Sequence, residues 1–159
     1  MTKVLVIVLV VIGALTLTCV GGGVIALLWL GSKSGPPEGI AVTIDKPQHI
    51  SAGSDFTIVI TIENLLDRER TLKDIDFYDP LLSGATVKSV DLVYEGLNSD
   101  FGYTTYTFNQ PLPPLSTTKV TFTLSANTPG TYTADLDVSV DSIFSFTTNV
   151  ETIVIDPAN

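Results

Sequence analysis

The sequence predicts an all-β fold, an antiparallel β-sandwich of seven to nine strands, preceded by one N-terminal transmembrane α-helix. Three observations carry this. Residues 40–157 alternate apolar and polar side chains with a period of two, clusters of Gly, Pro, Asn, Asp and Ser punctuate that alternation, and residues 4–30 hold no charged side chain. The chain therefore divides into an anchor (1–31), a linker (32–39) and a sandwich domain (40–157).

An uninterrupted apolar run of more than about 18 residues reads as a membrane span. At about 1.5 Å per residue, residues 4–30 reach roughly 40 Å, enough to cross a hydrocarbon core of about 30 Å with tilt. A cleaved signal peptide would have an apolar core of only about 7–15 residues and then a small-residue cleavage site. Here the run is longer and ends in Leu27-Leu28-Trp29-Leu30, with Trp29 placed as an interfacial aromatic. Thr16-Leu17-Thr18 lacks the small residue that lipid attachment at Cys19 would need just before the cysteine, and the chain stays apolar after it. Lys3 precedes the span, Lys33 follows it, and all seventeen acidic residues lie beyond it. The short leading segment favours a cytoplasmic N-terminus, a single pass through the cell membrane and an extracytoplasmic C-terminal domain. That domain has no cysteine, which permits an oxidising compartment. Ala14, Thr18, Gly22 and Ala26, spaced by four, line one helix face, where small residues allow close helix–helix packing. The alternative is the general abundance of Gly and Ala in membrane helices.

Gly31-Ser32-Lys33-Ser34-Gly35-Pro36-Pro37-Glu38-Gly39 is a linker, loosened by Gly and Ser and stiffened by the Pro pair. Beyond it, Ile40, Val42 and Ile44 make a short strand stopped by Pro47, and Phe56, Ile58, Ile60 and Ile62 share one face of the next. Further strands are expected near 72–78, 85–94 and 103–108, then through Val120, Phe122 and Leu124, and finally near 146–155. The alternation is clearest over residues 131–141. Tyr132, Ala134, Leu136, Val138 and Val140 fall on one face; Thr131, Thr133, Asp135, Asp137, Ser139 and Asp141 fall on the other. This is the mark of a half-buried antiparallel strand. Turns fall at 51–54, 79–80, 109–114 and 127–130, and no amphipathic helix is evident. Short strands and regular turns imply a sandwich, in which Tyr132 can bond its hydroxyl to backbone at a strand corner.

These residues resemble the immunoglobulin-like repeats of prokaryotic surface proteins, the CARDB-type adhesion modules and a related repeated domain of unknown function. Ser51-Ala52-Gly53-Ser54-Asp55-Phe56-Thr57-Ile58-Val59-Ile60-Thr61-Ile62-Glu63-Asn64 is similar to their opening strand. Asp79-Pro80-Leu81-Leu82-Ser83-Gly84 and Leu112-Pro113-Pro114-Leu115-Ser116 look like their turns, and Gly130-Thr131-Tyr132-Thr133 like their late strand. The charged Asp67-Arg68-Glu69-Arg70 departs from their small polar residues, and a single copy stands here rather than an array. The resemblance implies an Ig-like sandwich with a surface binding or spacer role and transfers no ligand.

No catalytic grouping is expected. His49, the one histidine, reads as an exposed loop residue, and no nucleophile elbow is present. Asp74, Asp76 and Asp79 are the better of two calcium candidates; Asp135, Asp137 and Asp141 share a strand face but are too spread for one ion. The alternative for both groups is a solvated acidic face. A Lys–Asn cross-link from Lys73, Lys88 or Lys119 to Asn64 or Asn149 would need a buried pair beside a carboxylic acid. No cofactor is implied.

From Gly35 onward the chain holds six Lys and Arg against seventeen Asp and Glu, a net charge of −11 that repels nucleic acid and anionic headgroups. Residues 98–103 combine turn residues with Phe101 and Tyr103, a composition suited to protein recognition; alternatively both aromatics belong to the core of the next strand. The expected function is a membrane-anchored, extracytoplasmic, non-catalytic binding or accessory module. It is held in the membrane by residues 4–30 and contacts another envelope or membrane protein, itself included. A structural subunit of a surface filament or membrane assembly is the alternative.

Overall fold

The structure, a computed structural model, describes residues 36–143 and 145–158. The anchor at residues 4–30 and its packing face, Ala14, Thr18, Gly22 and Ala26, lie outside the described residues. Among the described residues no helix is long and apolar enough to cross a membrane. Residues 35–159 form a compact unit of their own.

That unit is a β-sandwich. Ten strands are described, beyond the seven to nine expected: β1 (Ile40–Asp45), β2 (His49–Ser51), β3 (Asp55–Asn64), β4 (Arg70–Tyr78), β5 (Ala85–Val90), β6 (Gly96–Asp100), β7 (Tyr103–Leu112), β8 (Ser116–Ala126), β9 (Gly130–Val140) and β10 (Phe146–Asp156). A one-turn helix, α1 (Asp79–Leu82), begins with Pro80 in its first turn, where the missing N–H costs nothing. One sheet runs β1-β3-β8-β5 and the other β2-β10-β9-β4-β7-β6. Taking β1, β3, β4, β5, β8, β9 and β10 in chain order gives the seven strands of a constant-type immunoglobulin sandwich, with β6 and β7 inserted on the second sheet before β8. Pairing is antiparallel except at β2, which runs parallel to β10. The expectation of a loop around His49 is corrected accordingly. After Pro47 the chain crosses between sheets, and Val154 N–H reaches Gln48 O at 2.9 Å.

The core follows the period-two pattern. Phe56, Ile58 and Ile60 of β3 stand opposite Leu124, Phe122 and Val120 of β8, all buried. From the other sheet Leu72, Ile75, Phe77, Leu136, Val138 and Val140 meet them. Phe122 and Phe77 pack edge-to-face across the two sheets with ring centres 4.8 Å apart, and Tyr106 closes on Phe122 at 5.1 Å. Such contacts add about 0.5–1.5 kcal/mol each beyond the area they bury.

The turn expected over 109–114 is confined to the β7–β8 connection at 113–115, and residue 109 lies in a bulge instead. Register shifts between Leu72 and Asp74, and Asn109 on the neighbouring strand adopts φ 50°. Asn tolerates this left-handed conformation better than most residues, and pairing resumes at Gln110–Leu112 instead of ending at residue 109. The bulge also changes the parity of β4. Leu72 and Ile75, three apart, both point inward, while Asp74 and Asp76 point outward.

Candidate functional site

The outer face of the six-stranded sheet carries a row of side chains that the register aligns across five strands. Thr148 of β10 stands opposite Asp137 of β9, Asp137 opposite Asp76 of β4, Asp76 opposite Thr105 of β7, and Thr105 opposite Asn98 of β6. Directly opposed residues have Cβ atoms about 4.5–5.5 Å apart, so two like charges meet at the centre of the row. The Thr105 hydroxyl beside Asp76 and the Thr148 hydroxyl beside Asp137 each favour the ionised carboxylate. Burial pushes both carboxyls above the ordinary carboxylate range. Asp74 and Asp137 add to this at Asp76, and Asp135 adds to it at Asp137. Asp137 Oδ1 is buried and receives no hydrogen bond.

The pair forms part of the floor of an open cleft of about 640 Å³. Its walls come from the β6–β7 hairpin (Asn98, Asp100, Phe101 and Tyr103) and from the β9–β10 connection (Ile143 and Phe146). No lining residue is basic. Phe101 and Gly102 form a two-residue turn closed by the Asp100–Tyr103 pair, with φ 54° and 82°. Positive φ at both central residues is the geometry Asn-Gly or Asp-Gly normally supplies. Here a phenylalanine occupies it, fully exposed. The expectation for the two aromatics thus divides. Phe101 lies outside the core, whereas Tyr103 is half-buried and packs on Tyr78 with ring centres 5.2 Å apart. Burial, and then the nearby negative charges of Asp137 and Asp135, raise the Tyr103 phenol above its usual value.

The structure redistributes the acidic candidates. Asp79 leaves the proposed calcium group: its N–H donates to Gly102 O at 2.9 Å and its carboxylate accepts from Thr104 at 3.2 Å, which pins the hairpin to α1. Asp74 is buried and accepts from Thr107 at 2.7 Å. Asp141 turns away to pair with Arg70. Among the described residues no three His, Cys, Asp or Glu side chains gather as a metal would require. Asp76 and Asp137, read from sequence as members of separate groups, are the two brought together. Their alternation was visible in each strand, but their opposition depends on register. Ile143 and Phe146 carried no signal beyond being apolar near a turn.

The remaining candidates are structural. His49, exposed on β2, holds Asp156 at 3.2 Å. Asn64 is buried and its amide donates to Arg68 O, Leu112 O and Pro113 O at 2.8–3.0 Å. Lys73 is engaged with Asn109 and Lys88 with Asp55, both at 2.7 Å. The Tyr132 hydroxyl does bond backbone, donating to Thr128 O at 3.0 Å.

No protein-family model matches the sequence, and no curated protein matches it. Solved structures similar to it include the cohesin module from a Clostridium perfringens family 33 glycoside hydrolase, at 11% identity and TM-score 0.47, covering 74% of this chain and 97% of that one. The cupredoxin domain of amoB from Nitrosocaldus yellowstonii is similar at 10% identity and TM-score 0.48, covering 77% and 90%. E. coli alpha-2-macroglobulin is similar at 15% identity and TM-score 0.48, over 76% of this chain and 7% of that one. At this level of likeness the fold rests on the strand order and pairing of the chain itself.

Proposed function

We propose that the chain is a membrane-anchored, extracytoplasmic, non-catalytic binding module of Ig-like type. Residues 4–30 hold it in the membrane, and the β6–β7 end of the six-stranded sheet meets another envelope or membrane protein. The observation that carries this reading is Phe101. A bulky aromatic in left-handed conformation costs conformational energy, and one left wholly in water gains nothing from burial. Both penalties sit at the tip of a hairpin braced by Asp79 and Thr104, beside the cleft over Asp76 and Asp137. Sequence resemblance to CARDB-type surface modules supports the same class of role.

The test replaces Phe101 with a photoreactive phenylalanine analogue in the full chain in native membranes. A cross-linked adduct is expected from position 101 and none from Leu115, an exposed control in the β7–β8 connection. An adduct of twice the chain mass would favour the self-assembling structural subunit. No adduct at 101, or equal adducts at both positions, would remove the support for this face. Protease digestion of the domain in intact cells is expected if it lies outside the membrane; protection until lysis would count against that placement.

A further inference from the structure

We infer that the cleft between the β6–β7 hairpin and the β9–β10 connection receives a basic side chain, lysine or arginine, of the partner protein. This rests on the binding reading above and specifies its chemistry. The floor holds Asp76 and Asp137 facing each other across two strands, both half-buried, with Asp74 and Asp135 beside them on the same strands. Hydroxyls of Thr105 and Thr148 lie against the pair, but no lining residue supplies it with a positive charge. Two adjacent carboxylates in a partly dry site repel one another, and that repulsion is relieved by a cation placed between them. The walls fit the rest of such a side chain. Tyr103, Phe146 and Ile143 offer aromatic and apolar surface to a methylene stem, and an aromatic face attracts an ammonium or guanidinium group. Asp100 at the rim extends the negative field towards solvent. An acidic side chain would meet like charge from Asp76, Asp137 and Asp100 there. The exposed Phe101 beside the opening then supplies the apolar contact that fixes the partner segment around its basic residue.

The test uses the full chain in nanodiscs of neutral lipid and two short labelled peptides, one with a single central arginine and one with citrulline at that position. Citrulline keeps the shape and removes the charge. The arginine peptide is expected to bind at least about tenfold more tightly, as a charge-assisted contact in a partly desolvated site implies. D76N and D137N should each erase that preference. D67N, which removes the same charge from an exposed loop, should leave it within about twofold. Since the asparagine variants relieve repulsion, they are expected to fold at least as stably as the parent, which thermal melting checks. Equal binding of the two peptides, no binding of either, a preference that survives both cleft substitutions, or one lost equally in D67N would each overturn the inference. An adduct at position 101 with no arginine preference would leave the binding reading standing and discard only its ligand chemistry. Loss of both would discard both.

Discussion

Arg70 and Asp141 join the start of β4 to the residue that follows β9: the guanidinium Nε donates to Asp141 Oδ2 at 2.5 Å, and Asp141 Oδ1 accepts the Thr71 N–H at 2.8 Å. The arginine side chain is 7% exposed while the carboxylate is 44% exposed. Removing the acid therefore leaves a buried cation, whereas its own desolvation cost was small. Arg70 Nη1 keeps Glu38 O at 2.6 Å, which softens the loss. D141A is expected to cost about 1–3 kcal/mol. Asp141 also has φ 62°, which Asn tolerates and Ala does not. D141N, retaining the turn and one acceptor, should cost less than half as much in denaturant unfolding of the detergent-solubilised chain. Equal losses would mean that charge alone holds the joint.

Tyr132 closes the opposite corner. A Cβ at Gly84 would fall within the Tyr132 ring, and one at Gly130 would press on the same ring. Gly84 O also accepts the N–H groups of Asn127 and Thr128, so the backbone there has little room to withdraw. G84A should destabilise by about 1–3 kcal/mol through overpacking. Y132F, losing only the bond to Thr128 O, should cost about 0.5–1.5 kcal/mol. In a Y132A background the G84A penalty should disappear, and a double-mutant cycle measures that coupling. Additive effects would show that the ring is not what Gly84 accommodates.

The Asp76–Asp137 pair predicts how stability follows pH. Both carboxyls hold their protons more tightly in the folded chain than their ordinary value of 3.8, chiefly through burial. Their contribution is therefore fully present below pH 3.8 and is lost as pH rises through the elevated folded values. D137N removes the charge that causes the loss. The parent and D137N should melt close together in acid, and the variant should pull ahead by a few degrees, on the order of 2–4 °C, once both carboxyls are ionised in the parent. A constant gap across that range, or a gap that opens on acidification, would contradict the raised values.

The strands and the site differ in how far the sequence announces them. Residues 131–141 show their inward face without help, because each side chain answers only to its own burial. The Asp76–Asp137 opposition needs the β4–β9 register, which the bulge near Lys73 shifts by one residue, and no local pattern fixes it. The bulge also hid part of β4, since Leu72 and Ile75 break the expected alternation. Strand β2 is three residues long and held by pairing to β10, a contact about a hundred positions away in sequence. Strand β6, mostly exposed, has almost no apolar signal. Nothing in the charged Asp67–Arg70 run sets Arg70 apart from its neighbours, yet Arg70 is buried, held by Asp141 and Glu38 O.

On the proposed reading, Phe101 sets stability against recognition. Its φ of 54° belongs to a turn in which asparagine is preferred at this position before glycine, and its full exposure means that its ring contributes no packing. F101N should therefore raise stability by about 0.5–1 kcal/mol, by relieving left-handed strain while leaving Gly102 and the Asp79–Thr104 brace in place. In native membranes the same variant should lose capture of the partner. Because position 101 is then occupied, capture is read from a photoreactive residue at the neighbouring exposed Asn98. A neutral or destabilising F101N would mean that the turn is not strained by phenylalanine. Undiminished capture would mean that the ring, though exposed, is not part of the contact. The combination of a more stable fold and a lost contact is the outcome that a recognition residue at a strained turn requires.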